Sequence, residues 1–249
     1  MEAHRHPNTF GTGWKHHTRE FLMLFAAVTL GFFAENLREH YVDRIRERDY
    51  LAKIAQDLRT DISAMEKFTE LEQARLGAGQ RLLELYNSGE FRQATAEFYL
   101  QCRVFMLHSS FVHTNSGFIQ MLHSGRMRLI RSQKINDSIQ SYESAVERYR
   151  DTQTLNDMQM EDLRRCAADV FDTRVVNTML IPDRKPLDLL TYYRRPPGNP
   201  ALVTDDDKVI NRMMQFVFTT QNLEGIRRSR LRELRESAIA LIGMIEAAN

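Results

Sequence analysis

The sequence predicts an all-α fold, an N-terminal transmembrane helix that continues into an elongated antiparallel helical bundle. Three observations predict it. Six prolines and eleven glycines in 249 residues are too few for a strand-and-turn fold of this length. Apolar residues recur in steps of four and three over three long stretches, the period of helices that pack together. Finally, the fourteen residues from Phe21 to Ala34 carry no charge between Glu20 and Glu35.

Residues 1–18 read as a short tail and residues 19–41 as the anchor. Fourteen apolar residues rise about 21 Å as a helix, short of the roughly 30 Å hydrocarbon core, so a core helix, an interfacial helix and a signal peptide are the alternatives. A cleavable signal needs small residues at −3 and −1, and "GFFAEN" places Phe32 at −3 when Ala34 is −1. A core helix is polar along one face, whereas Phe21, Leu24, Phe25, Val28, Leu30, Phe32 and Phe33 point all round the axis. The flanks supply the missing length: Trp14 and Tyr41 stand about 40 Å apart on a helix, the thickness between the two headgroup layers where aromatic rings sit. Lys15, Arg19 and Arg38 are placed to snorkel. Within the span, Ala27 and Gly31 form a small-xxx-small pair, the spacing of a helix–helix contact in the membrane. A count of Lys and Arg favours the C-terminal part on the cytoplasmic side. The basic, histidine-rich tail is a poor candidate for export and argues the opposite.

Residues 42–249 read as the bundle domain. Its first long helix, about 42–76, carries the seam Leu51, Ala55, Leu58, Ile62, Met65, Phe68 and Leu71 with no breaker between it and the span. "GAGQ" reads as the first break, followed by shorter helices at about 80–87, 90–107 and 116–131, with Gly89 as a turn. A second long helix, about 134–181, shows Ile135, Ile139, Tyr142, Val146 and Tyr149. The proline-rich stretch after it reads as a loop holding a short helix at 187–193. The last helix, about 204–247, opens with Thr204 or Asp205 as cap, and its face is Val209, Met213, Phe216, Leu223, Leu231, Leu234, Ala238, Leu241 and Ile245. Helices of this length joined by reversing connections pack antiparallel.

Chemistry is sparse. A net charge of +1 gives the whole chain no field for nucleic acid, and none is expected as a partner. His108, His113 and His123 match no metal-ligand spacing, and the histidines of the tail lack a fixed geometry. Ser88, Ser116 and Ser124 precede or neighbour glycine as turn residues rather than as a nucleophile elbow. No phosphate-cradling glycine motif occurs. Catalytic, cofactor and metal residues are therefore not assigned, and the expectation is a protein that is not an enzyme. Cys102 and Cys166 are either two core thiols or one disulfide. Arg227, Arg228 and Arg230 are the candidates for a phosphate contact, set against a solvated coiled-coil face.

Two segments carry a resemblance. Tyr50, Leu51, Asp57, Leu58 and Asp61 form a "YL…DL..D" pattern behind the anchor, and Ser124, Gly125, Leu129, Ile130, Ile135, Ile139 and Tyr142 form an "L..SG.L.LI" type of segment. Together they resemble a family of uncharacterised bacterial single-span inner-membrane proteins with an N-terminal anchor and a helical domain. Met127, Ser132 and Glu143 depart from that pattern. The resemblance implies a single-pass protein of the bacterial inner membrane with the helical domain in the periplasm, and it implies no activity.

The expected function is that of a membrane-anchored scaffold, adaptor or sensor-like protein acting through contacts with itself or another membrane protein. The alternatives are a bundle that binds a small ligand or metal, and an anchored phosphate or nucleic-acid binder that uses the C-terminal arginines.

Overall fold

A computed structural model describes residues 13–108, 110–182 and 191–248. Helices dominate these segments: α1 (Gly13–Ser88), α2 (Thr95–Phe105), α3 (Ser116–His123), α4 (Gln133–Ala168), α5 (Thr173–Met179) and α6 (Asp207–Ala248). Short 3-10 turns at Glu90–Arg92 and Arg126–Leu129 follow Gly89 and Gly125. Both glycines adopt the left-handed conformation, φ 74° and 64°, which a side chain disfavours.

The three long helices are organised by unbroken seams. On α1 the positions Leu51, Ile54, Leu58, Asp61, Met65, Phe68, Glu72, Arg75, Gly79 and Leu82 step alternately by three and four, and every side chain among them is buried. On α6 the buried positions run from Ile210 to Ile245 with the same alternation and include Thr220, Glu224 and Arg227. On α4 they run from Ile135 to Ala167 and include Thr152 and Asn156. Such spacing keeps one stripe of each helix facing its neighbours over many turns. The chain directions of α1 and α6 are opposed: Arg59 meets Glu246 (2.6 Å), Glu66 meets Arg235 (3.0 Å) and Tyr86 meets Asn211 (3.0 Å). α4 and α6 are opposed likewise, Ser138 lying against Met244 and the Arg148 carbonyl against Arg230.

The seams enclose two apolar cores. The proximal one, nearer the N-terminal apolar stretch, joins Tyr50 to Phe68 of α1, Met121 of α3, Ile135 to Tyr149 of α4 and Leu231 to Ile245 of α6. The distal one joins Ala78 to Leu85 of α1, α2, Met160 to Ala167 of α4, Phe171, Met179 and the first turns of α6. A layer of buried polar side chains lies between the two cores in sequence on all three helices.

Several boundaries differ from the sequence reading. α1 does not break at Gly77–Gln80, and the expected helix at 80–87 is its last two turns. Gly79 serves packing: a Cβ there would stand 2.7 Å from the Phe105 ring and 2.2 Å from Gln221 Oε1, so its absence lets α2 and α6 close on α1, whereas a Cβ on Gly77 would meet open space. The helix expected over 116–131 is interrupted at Gly125. α4 stops at Ala168 instead of near 181, because Val170 and Phe171 turn into the distal core and Asp172 caps α5 by accepting the Arg174 N–H. Most of the short helix expected at 187–193 lies outside the described residues; Tyr193 itself pairs with Leu180 in an isolated bridge. α6 starts later than expected, at Asp207, and Asp206 rather than Thr204 or Asp205 accepts the Lys208 N–H. Cys102 is buried and Cys166 half-buried, both as free thiols; burial pushes the Cys102 thiol up to about 12.

Candidate functional site

The largest departure from a soluble helix surface is the first third of α1. Trp14, Phe21, Leu24, Phe25, Val28, Leu30, Phe32, Phe33 and Tyr41 are all exposed, from 51% for Val28 to 80% for Trp14. An 18-residue window here has a mean hydropathy of 1.5, and none of it is buried. By length and composition the helix suffices to cross a membrane. Ala27 and Gly31 lie exposed on the same stretch, with open space where a Gly31 Cβ would stand.

Immediately beyond it, the two segments that carry the family resemblance come together. Asp57 and Asp61, one turn apart on α1, hold the loop that leads into α3: Asp61 accepts the Thr114 N–H at 2.7 Å, and Asp57 accepts the Gly117 N–H at 2.6 Å and the Ser116 hydroxyl. Asp57 thereby caps α3 from another helix, a favourable place for a negative charge. Asp61 also accepts the Tyr142 hydroxyl at 2.9 Å and pairs with His113 Nδ1 at 2.5 Å, while His113 Nε2 faces Glu143 at 3.2 Å. Burial pulls the imidazole down, but its hydrogen bonds to Asp61 and Glu143 outweigh that and raise it to about 9. At neutral pH His113 is therefore an imidazolium between two carboxylates. Desolvation and the Asp61 charge push the Tyr142 phenol upward. Tyr50 closes the contact by accepting from Arg126 at 2.5 Å. The aspartates and tyrosines of the motif thus act as loop anchors, and no group among them is left as a nucleophile.

The arginine segment of α6 divides. Arg227 is buried, paired with both Glu72 and Glu224 (2.5 Å to the latter) and stacked 4.9 Å over Phe68, so it is not available to phosphate. Arg230 donates to the Arg148 carbonyl at 2.5 Å and to the Thr152 hydroxyl. Of the three candidates, Arg228 lines an open groove of about 690 Å³ together with Arg232, Arg235, Glu66, Thr69 and Met65. The reading of a purely solvated face fails for a physical reason: the seam passes through 220, 224 and 227, so the charged side chains turn inward while Ile226 stays exposed and Leu223 half-buried.

Inside, Arg75 completes the cluster, donating to Glu72 at 2.9 Å and to the Phe105 carbonyl at 3.1 Å and forming an ion pair with Glu224 at 2.8 Å. Burial and the facing Glu224 carboxylate raise Glu72 to about 7, against the pull of the two arginines. Glu224 is held down despite its burial, by Glu72 and the arginines. Of the two carboxyl groups, Glu72 is thus the one biased towards its protonated form.

Sequence reasoning missed His113, Asp61 and the four-member charge cluster as partners. The signal was present as charged residues at seam positions, where a surface charge does not belong. Among the described residues no group of three or more His, Cys, Asp or Glu is arranged to hold a metal ion. Compared with protein-family models, curated proteins and solved structures, the chain matches none.

Proposed function

We propose that this chain is a single-pass membrane protein whose helical bundle works as a scaffold or adaptor through protein contacts rather than catalysis. The observation that carries the reading is the apolar stretch of α1, exposed on every side yet continuous with the helix that organises both cores. A helix apolar all round needs lipid or protein around it, and among the described residues nothing covers this one. The engagement of both His113 nitrogens by carboxylates supports a structural rather than a catalytic role for the best-placed acid–base group. The resemblance to bacterial inner-membrane proteins favours that membrane, with the bundle in the periplasm. Ala27 and Gly31 offer the side on which two copies would approach.

The test is in-membrane crosslinking of the full chain followed by identification of the captured species. A discrete homo-oligomer or one recurring partner, abolished by Gly31→Leu or by substitutions on the bundle surface, is the expected result. Capture of monomer alone across crosslinkers of several lengths overturns it.

A further inference from the structure

Where α1 leaves the apolar stretch, a cleft of about 470 Å³ opens between α1, the start of α4 and the end of α6. Tyr41, Arg44, Ile45 and Arg48 line it from α1, one face over two turns, and Arg131 and Ser132 line it from the approach to α4. We infer that this cleft binds the phosphate of an anionic phospholipid headgroup, with Arg44 and Arg48 as the phosphate ligands. The inference rests on the membrane-anchor reading of α1.

Charge comes first. Asp43 pairs with Arg46 at 3.2 Å, and the buried Glu47, the one carboxylate among the cleft's lining residues, accepts both the Arg131 guanidinium and its backbone N–H at 2.8 Å; the exposed Asp49 does not line the cleft. Arg44 and Arg48 have no ion pair among the described residues and are exposed. Two guanidinium groups one helical turn apart form a fork suited to a phosphodiester. The carbonyl end of α6 at Ala248 and the N–H end of α4 both border the cleft and oppose each other, so the arginines decide its sign.

Position comes second. Leu37 is the last large apolar residue before Arg38, and Arg44 lies about 10 Å further along the axis. Helical side chains lean towards the N-terminus, which on α1 is the apolar end, so both arginines reach back towards the bilayer edge. Tyr41 and Ile45 then flank the headgroup with apolar surface. The groove at Arg228 and Arg232 has the same chemistry but stands about 42 Å beyond Leu37, measured to Met65, out of reach of any headgroup. It serves as the internal control.

The experiment uses the full chain in nanodiscs containing phosphatidylcholine with or without phosphatidylglycerol, and native mass spectrometry counts the lipids retained. The wild type is expected to retain phosphatidylglycerol preferentially. Arg44→Gln with Arg48→Gln lowers that preference about thirtyfold, whereas Arg228→Gln with Arg232→Gln leaves it unchanged. Equal preference in the wild type and the Arg44/Arg48 variant, with normal flotation on vesicles, overturns the cleft alone. Failure of the wild type to float with phosphatidylcholine vesicles overturns the anchor and this assignment with it. Displacement of the lipid by millimolar inorganic phosphate at constant ionic strength gives the cleft to the dissolved anion and overturns the lipid source.

Discussion

The proximal and distal cores solve one problem with opposite materials. Each must hold an irregular connection against the long helices. The proximal core does so with charge: Asp57, Asp61, His113 and Glu143 tie the loop before α3 to α1 and α4. The distal core does so with rings, Phe91, Phe98, Phe171 and Tyr99 meeting in tilted and edge-on pairs at centroid distances of 4.7 to 5.4 Å and fastening the turns after α1 and α4. Ring contacts are indifferent to pH, whereas a buried ionic tether is strong only while both partners keep their charge. The two halves of the bundle should therefore respond differently to the same perturbation, and the polar layer between them is where the responses part.

The largest effect is expected in that layer. Arg227→Ala leaves Glu72 and Glu224 buried with only Arg75 to meet them and should destabilise by about 3–5 kcal/mol in urea denaturation. Replacing all four charged residues together by Leu and Met should restore most of that loss, because no unpaired charge remains. A quadruple variant as unstable as Arg227→Ala would show that the layer contributes more than charge balance. Next, Phe98→Ala removes the central ring of the distal cluster and should cost about 3–5 kcal/mol. Hydrogen exchange should show the loss of protection confined to α2 and the ends of α1 and α4 that pack on it. Comparable deprotection around Tyr50 would mean that the two cores unfold as one.

The third prediction separates the halves by pH. His113 has a folded pKa raised to about 9 from an ordinary value of 6.5. Its contribution is thus fully present below about pH 6.5 and lost as pH rises through 9, a swing on the order of 3 kcal/mol. The stability gap between wild type and His113→Gln should shrink over that window, and a constant gap would place the proton elsewhere. Glu72, raised in the same sense but to about 7, completes its loss earlier and is common to both proteins. The smallest effect is Gly79→Ala, which presses a methyl against Phe105 and should cost about 1–3 kcal/mol, measured as a shift of the distal transition.

Much of the helical plan was legible because burial follows a period. Leu51, Met65, Ile139, Val146, Leu234 and Leu241 were assigned to seams and are buried. What escaped were the seam positions whose residue type contradicts the period. Leu223 was chosen for the face of α6 since it is apolar, although the alternation of three and four passes through Glu224. Gly77 and Gly79 read as breakers by local propensity, which cannot show that α2 and α6 need the missing side chain of Gly79 or that α1 runs on through the exposed Gly77. Asp57 and Asp61 stood in the motif without a role, since the groups they bind lie more than fifty residues away along the chain.

The continuity of α1 through Gly77–Gln80 has a mechanical consequence. From Tyr41 to Ser88 the helix measures about 70 Å, and with no turn or proline in that length it would, if anchored as proposed, act as a lever arm with its fulcrum at the membrane surface. A change of about 10° in the tilt of the apolar stretch, well within the range such helices adopt, displaces the far end by about 12 Å. Bilayer thickness or contact with a neighbouring helix would thus be read out at the distal core as a translation of about the width of a helix.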